Sequence, residues 1–402
     1  MKHFKSIFRT AWLSIILLIS SHLSIVKATT PSALEDSVRR ASMDSVEVSL
    51  LTCQPHEEIY SLYGHTAIRY HDLRNGEDWS FNYGVFNFKA PYFTLRFVFG
   101  LTDYELGVVP TRIFKMEYRH YGSMVTEQVL NMTAEEKVTI YKALAENYRE
   151  ENRIYRYNYF YDNCTSRARD MIERCLQGKI IYKERPDYTP TYRQMVHDCT
   201  REHRWAAWGN DFLLGLKADC KTTLRQQEFL PNNLMADFSR AQIVRNNGRY
   251  EPLVKETRTM LPSGVQLVKD DFPLTPRECA ILLAVFSLIV LCYEWKKKKT
   301  LKWWDMSLML LQGVMGCVLF VMIFSQHPTT SINLQILLFN PLPLLFIYKV
   351  YKRKQTVYWN LLLVMVLLFL AGSLVQDYAE GMNILALCLL TRYTSNRRYG
   401  KK

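Results

Sequence analysis

Apolar residues are concentrated in the last third of this 402-residue chain. Five apolar segments follow residue 276, at about 279–293, 306–324, 332–348, 357–375 and 382–390. A helix that crosses the hydrocarbon core of a bilayer needs about 20 mostly apolar residues. The middle segments meet that length, and the last is short. The sequence therefore predicts an all-α membrane domain of about five transmembrane helices over residues 277–392.

The charged residues between these segments indicate their orientation. Lys and Arg follow the first, third and fifth segments, at 296–302, 349–354 and 392–402, whereas the loops SQHPTTS and QDYAEG contain neither. Lys and Arg accumulate on the cytoplasmic side of membrane proteins. The pattern predicts a multi-pass membrane protein, with its N-terminal part outside and a basic tail at 393–402 in the cytoplasm.

The N-terminus predicts the same orientation. Three basic residues precede an apolar run, and the sequence VKA at 26–28 follows it. This order is typical of a secretory signal, so residues 1–28 are predicted to be a signal peptide or an N-terminal anchor. Residues 33–273, which contain no apolar run long enough to cross a bilayer, are then an exported domain.

The net charge of +13 needs the same topological interpretation. Much of the positive charge lies in loops beside the predicted spans, where Lys and Arg set orientation and contact anionic lipids. We therefore predict a membrane-embedded protein and no nucleic-acid partner.

The exported segment predicts a mixed α+β domain. Its first hundred residues contain several strand-like runs, of which GHTAIRYHD and EDWSFNYGVF form a predicted hairpin around Asn75-Gly76. A capping box at Thr133 and Glu136 predicts a helix to about residue 150. Residues 253–273 are predicted to be a connector that leads to the membrane.

A second helix is predicted over CTSRARDMIERCLQGK. Asp162 or Asn163 is a natural N-cap for it, and Gly178 a natural stop. Helical spacing puts Cys175 in the core and makes Cys164 the first helical residue.

Five of the nine cysteines belong to the exported domain: Cys53, Cys164, Cys175, Cys199 and Cys220. Their number is odd, so at least one is unpaired if the others form disulfides, and no two have the spacing of zinc ligands. We predict neither a metal nor another cofactor. For Cys164, a structural disulfide with Cys199 or Cys220 and a role as a nucleophile both stay open.

The position of Cys164 favours the nucleophile. Backbone N–H groups and the helix dipole at a helix N-terminus stabilise a thiolate. To become a thiolate, the thiol also needs an imidazole that accepts its proton. His65 is the best candidate, because it opens a strand in SLYGHTAIRY, whereas the other histidines of the domain lie in polar, loop-like surroundings.

Three motifs in order suggest a family. YGHTAIR, FNYGVFNF and NYFYDNCTSRARDMIE resemble the periplasmic domain of Lnb-type lipoprotein N-acyltransferases, over roughly residues 45–238. The order of a strand-borne His and a later Asn-Cys at a helix start is also distantly similar to circularly permuted papain-like enzymes, such as lecithin:retinol acyltransferase and NlpC-type peptidases. The resemblance implies an α+β, permuted papain-like catalytic domain at 33–273, followed by the membrane bundle. It also implies a bacterial inner membrane, with the catalytic domain in the periplasm.

The resemblance also implies roles for individual residues. Cys164 is the expected nucleophile and His65 its general base and acid, with Asn82, or else Tyr83, orienting the imidazole. The backbone N–H of Cys164 and the side chain of Asn163 are expected to form an oxyanion hole.

The predicted helix that begins at Cys164 also contains two arginines, and two interpretations of them stay open. Arg167 and Arg169 are either a solvated helix face or contacts for a lipid phosphate, which guanidinium groups bind well.

The leading prediction is an acyltransferase. It takes an acyl chain from a membrane phospholipid as a Cys164 thioester and passes it to the α-amino group of a diacylglyceryl-cysteine lipoprotein. A cell-envelope cysteine peptidase or amidase with the same nucleophile is the first alternative. A sensor or transporter module is the second, and the scarcity of ionisable residues in the spans argues against it.

Overall fold

A computed structural model describes residues 43–86, 91–265, 272–352, 354 and 357–400. The predicted signal or anchor at 1–28 and the last two residues of the basic tail lie outside the described residues. Within them the chain forms a mixed α+β domain followed by a helical region, as predicted.

The described residues contain ten strands and thirteen α-helices. The strands are β1 (Val46–Cys53), β2 (His65–Asp72), β3 (Glu77–Val85), β4 (Asp103–Pro110), β5 (Val125–Leu130), β6 (Ile154–Arg156), β7 (Lys179–Ile181), β8 (Gln242–Val244), β9 (Tyr250–Pro252) and β10 (Val254–Leu261). The helices are α1 (Phe93–Val98), α2 (Thr111–His120), α3 (Ala134–Asn147), α4 (Cys164–Cys175), α5 (Tyr192–Cys199), α6 (Arg204–Leu213), α7 (Leu224–Gln227), α8 (Pro231–Arg240), α9 (Pro276–Lys297), α10 (Lys302–Met322), α11 (Leu342–Tyr351), α12 (Tyr358–Gly372) and α13 (Met382–Tyr399).

An antiparallel sheet of seven strands forms the centre of the first domain, in the order β10-β5-β1-β2-β3-β4-β6. Strand β1 is buried at almost every position because it lies in the middle of this sheet. The predicted hairpin is confirmed: β2 pairs with β3, and Gly76 in the turn has φ +72°, which costs glycine little. In this pairing Ala67 lies opposite Asn82, so the hairpin fixes where the side chains of both strands point.

The predicted connector at 253–273 is wrong in its first half. Val254–Leu261 is strand β10, which pairs with β5 at the edge of the sheet. Its sequence, VKETRTML, has no apolar alternation, because half of its side chains are exposed and only one is buried. Arg258 holds the edge strand through hydrogen bonds of 2.7 and 3.0 Å to Glu47 on β1.

Helix α4 packs on β2 and β3. Ala168, Met171 and Cys175 are buried beneath it, which confirms that Cys175 is a core residue. The helix ends at Cys175, before the predicted stop at Gly178, because Leu176 already has an extended backbone with ψ 141°.

The helical region contains three helices that are long and apolar enough to cross a membrane, among the described residues. They are Pro276–Lys297, Lys302–Met322 and Leu334–Tyr351, the last of which joins a 3₁₀ turn to α11. Helix α12 is apolar but has 15 residues, and α13 is polar in its second half. The count of five spans therefore stays a prediction.

A buried charge cluster joins three helices of this region. Arg392 on α13 donates hydrogen bonds of 2.8 and 2.9 Å to Glu294 on α9, and one of 2.7 Å to Asp305 on α10. Asn396 donates a further bond of 2.8 Å to Asp305. Arg392 is thus not a loop charge, as the sequence suggested, but an internal cross-link between helices.

The two parts of the chain are joined by direct hydrogen bonds. Gly215 N–H donates to the Thr329 carbonyl at 2.8 Å, and Gln335 Nε2 donates to the Asp211 carbonyl at 2.7 Å. A Cβ at Gly215 would lie 2.1 Å from the carbonyl oxygen of Ile332, so only glycine permits this approach. The α+β domain is therefore held against the loop before the third apolar helix and against the first turn of that helix.

Candidate active site

A cavity of about 390 Å³ lies between the sheet and the start of α4. His65, Asn82 and Cys164 all line it. The rest of its wall is largely aromatic and includes Tyr104 and Tyr157, whose stacked ring centroids are 4.0 Å apart. The structure thus brings the proposed nucleophile, imidazole and orienting amide together.

The start of α4 positions Cys164. Asn163 is extended, with φ −122°, and its Oδ1 accepts the N–H groups of Thr165 and Ser166, each at 3.0 Å. The Ser166 hydroxyl in turn accepts the N–H of Asn163 at 2.9 Å, which completes a capping box. Cys164 is the first helical residue, as predicted, and the sequence NCTS therefore places the thiol at the positive end of the helix.

The side chain of Asn163 is not available as an oxyanion donor. Its Nδ2 donates to the carbonyls of Tyr159 at 3.1 Å and Phe229 at 2.9 Å, and its Oδ1 caps the helix. The backbone N–H of Cys164 differs, because it has no hydrogen-bond acceptor within the part of the chain that the structure describes. Only the backbone half of the predicted oxyanion hole is therefore placed to donate.

Asn82 fixes the His65 ring. His65 Nε2 lies 2.7 Å from Asn82 Oδ1, and the same oxygen accepts the N–H of Gly84 at 2.9 Å. Because that backbone donor holds the amide oxygen toward the ring, Nε2 carries the hydrogen. Nδ1 is then the basic nitrogen, left for the thiol.

The thiol and the imidazole shift each other's protonation. Burial by itself raises the pKa of Cys164. The charge and hydrogen bond of His65, with the N–H of Thr66, lower this pKa by more than burial raises it, so that it lies below its ordinary value. Burial likewise depresses the pKa of His65, and the Cys164 charge and the hydrogen bonds to Cys164 and Asn82 raise it above its ordinary value. The arrangement favours a thiolate beside an imidazolium.

Comparison with known families assigns both parts of the chain. Residues 34–198 match the family model described as the Lnb N-terminal periplasmic domain, and residues 268–402 match the one described as the Lnb transmembrane domain. The chain belongs to the Lnb family. It is a membrane protein of the lipoprotein N-acylation type, with an N-terminal periplasmic region. No curated protein and no solved structure matches the chain.

The residues that match the Lnb periplasmic domain include His65, Asn82, Tyr83 and Cys164. Of these, Tyr83 does not line the cavity. Successive residues of a strand face opposite sides of the sheet, and Tyr83 is buried on the side away from Asn82. Its hydroxyl donates to Asn147 Oδ1 at 2.8 Å. Tyr83 is therefore not placed to orient the imidazole.

Neither predicted lipid-binding arginine of this Lnb protein lines the cavity. Arg169 is buried, and its Nη1 lies 3.0 Å from Glu228 Oε2. Arg167 makes two hydrogen bonds of 2.7 Å to Asp162 and covers the ring of Tyr155 at 3.7 Å. Both guanidinium groups are already paired within the protein. Arg169 is therefore not part of a solvated helix face, and the phosphate contact stays a prediction for both arginines.

All nine cysteines are free thiols, so Cys164 is not in a disulfide with Cys199 or Cys220. Sequence reasoning missed other residues of the Lnb cavity. His56, expected to be solvated, is buried and stacks on Tyr121 with ring centroids 4.0 Å apart. In the described part of the chain no three His, Cys, Asp or Glu side chains are grouped to hold a metal ion.

Gly84 gives a test of the His65 position. A Cβ on Gly84 would lie 2.5 Å from His65 Cε1, so Gly84→Ala should displace the ring and lower acyl transfer by about 10²-fold, the cost of misplacing a catalytic group by about 1 Å. Activity of the purified variant measures the loss. Gly209→Ala on α6, where a Cβ meets nothing within 4 Å, is the matched control. Equal activity of both variants contradicts the assigned ring position.

Proposed function

We propose that this Lnb protein is a lipoprotein N-acyltransferase that uses a Cys164 thioester. Its acyl donor is a membrane phospholipid, and its acceptor is the free α-amino group of a diacylglyceryl-cysteine lipoprotein. The observation that carries the proposal is the His65 ring, held by Asn82 at 2.7 Å, in the same cavity as the Cys164 thiol, which lies at a helix start.

In the first step His65 Nδ1 takes the proton of the thiol, and the sulfur attacks an ester carbonyl of the phospholipid. The free N–H of Cys164 donates to the oxyanion that develops, and a single such donor is worth about 2.7–4 kcal/mol in acyl transfer. The carbon–oxygen ester bond then breaks, and His65 gives its proton to the departing oxygen. The products are a lysophospholipid and a thioester on Cys164.

In the second step the neutral α-amino group of the acceptor attacks the thioester carbonyl. His65 takes a proton from the attacking nitrogen as the carbon–sulfur bond breaks, and the thiolate of Cys164 leaves. The product is an amide at the lipoprotein N-terminus, and proton exchange within the Cys164–His65 pair restores the starting state. Division into two steps makes each one easier than direct transfer.

The attachment to membrane helices supports lipid substrates. Both proposed substrates are embedded in a bilayer, so a tethered catalytic domain meets them at a high effective concentration. The aromatic wall of the cavity suits an acyl chain, since apolar surface leaves water there. The lysine-rich turn at 296–299 further supports a C-terminus in the cytoplasm of an inner membrane.

Mass spectrometry of a reporter lipoprotein's N-terminus tests the function. Cells with the wild-type protein should add a third acyl chain, and the purified protein should carry a fatty acid on the Cys164 peptide after incubation with phospholipid vesicles. Peptide cleavage with no fatty acid on Cys164 would instead indicate the peptidase or amidase. Full reporter acylation by both Cys164→Ala and His65→Ala would leave only a non-enzymatic sensor or transporter role.

A further inference from the structure

The cavity around Cys164 contains one carboxylate and no Lys or Arg, among the described residues that line it. That carboxylate belongs to Glu117. With a thiolate and an imidazolium that neutralise each other, the cavity therefore has one net negative charge. A phosphate group would find no cationic partner there, whereas a cationic group would.

Glu117 has no partner that already uses its charge. It lies on α2, whose Phe114 and Tyr118 are buried against the sheet, and its own side chain is exposed at the cavity. Within the described parts of the chain its carboxylate forms neither an ion pair nor a hydrogen bond. The carboxylate is therefore available to pair with a ligand.

Aromatic rings accompany this carboxylate. Tyr60, Tyr118 and Tyr121 line the same cavity. Burial and nearer partners have the largest effects on the pKa values of Tyr60, Tyr118 and His65. The negative charge of Glu117 adds a smaller effect that raises each of these pKa values. The carboxylate therefore acts on the same space as the catalytic pair.

We infer that Glu117 and the surrounding tyrosines form a subsite for a primary ammonium group. A carboxylate pairs with an ammonium through charge-assisted hydrogen bonds, and the faces of tyrosine rings attract cations. This inference rests on the proposed function, which supplies two sources of a primary ammonium: the α-amino group of the acceptor, which binds protonated and loses that proton before it attacks, and an ethanolamine headgroup on the donor.

Glu117→Gln in the full-length protein tests the subsite, because it removes the charge and keeps the shape. The donors are vesicles of phosphatidylethanolamine or of phosphatidylglycerol, and the acceptor is a diacylglyceryl-cysteine peptide. If the acceptor is the ligand, its KM rises at least about tenfold with either donor, more than kcat falls. If the headgroup is the ligand, the preference for phosphatidylethanolamine over phosphatidylglycerol in acyl-enzyme formation falls instead.

Two variants control this experiment. Glu117→Asp keeps the charge and should restore most of the lost effect, which a merely structural role would not predict. Glu135→Gln, at an exposed carboxylate on α3 outside the cavity, should behave as wild type. The inference is overturned if Glu117→Gln matches Glu135→Gln in both KM and donor preference. If the wild type itself forms no acyl-enzyme on Cys164, the proposed function fails rather than the subsite alone.

Discussion

Cys164→Ala should form no acyl-enzyme and should transfer acyl chains at least about 10³-fold more slowly than the wild type, because the reaction loses its covalent intermediate. The thiol occupies the first position of α4, with the imidazole of His65 as its partner. The mass of the intact protein after incubation with phospholipid vesicles, with the release of lysophospholipid, measures the first step. The acylation of a diacylglyceryl-cysteine peptide measures the second. Cys164→Ser should also lose most activity, since a hydroxyl is far less acidic than a thiol.

Cys220→Ala is the matched control for this prediction. Cys220 is an exposed free thiol of the same domain and does not line the cavity. The control should acquire one fatty acid at the wild-type rate. An acyl group that remains on the Cys164→Ala protein would place the nucleophile elsewhere and contradict the assignment.

His65→Ala should lower acyl transfer by about 10²- to 10⁴-fold, the usual contribution of general acid–base catalysis. It should also change the pH dependence of thiol alkylation. In the wild type, His65 lowers the pKa of Cys164, so alkylation reaches half its maximum rate below the ordinary thiol pKa of about 8.5. Without the imidazolium, the thiol loses the two largest effects that lower its pKa while burial stays, so the midpoint must move upward.

Iodoacetamide labelling across a pH series, followed by mapping of the Cys164 peptide, measures this midpoint. The thiolate forms as pH rises through the lowered pKa of Cys164, and its counter-charge disappears as pH rises through the raised pKa of His65. Transfer by the wild type should therefore peak between these two values. His203→Ala, a histidine outside the cavity, should leave the midpoint in place, and an unshifted midpoint in His65→Ala would refute the pairing.

The sequence could predict the elements of the site because local signals determine them. The turn at Asn75-Gly76 defines the hairpin that brings Asn82 beside His65, and the capping residues define the start of α4. The sequence could not decide whether Asn82 or Tyr83 orients His65. The alternation of side chains along a strand shows that the two residues face opposite sides of the sheet, but not which side faces the cavity.

Other features depend on partners that are distant in sequence. The side-chain amide of Asn163 donates a hydrogen bond to the carbonyl of Phe229. The buried Arg169 pairs with Glu228, 59 residues later along the chain. Glu117 joins the cavity from helix α2, which no motif indicated. The sequence did not predict strand β10, because an exposed edge strand needs no apolar face. Such contacts follow from the tertiary fold and leave no short-range pattern.

The Arg392 cluster has a consequence for biosynthesis. Glu294 and Asp305 leave the ribosome almost a hundred residues before the arginine that neutralises them. Until Arg392 is made, the carboxylates of Glu294 and Asp305 have no cationic partner in the partly inserted chain. An unpaired buried charge is strongly destabilising. The bundle can close only after its last helix is made, so a chain truncated before Arg392 should persist as an open assembly that membrane proteases can recognise.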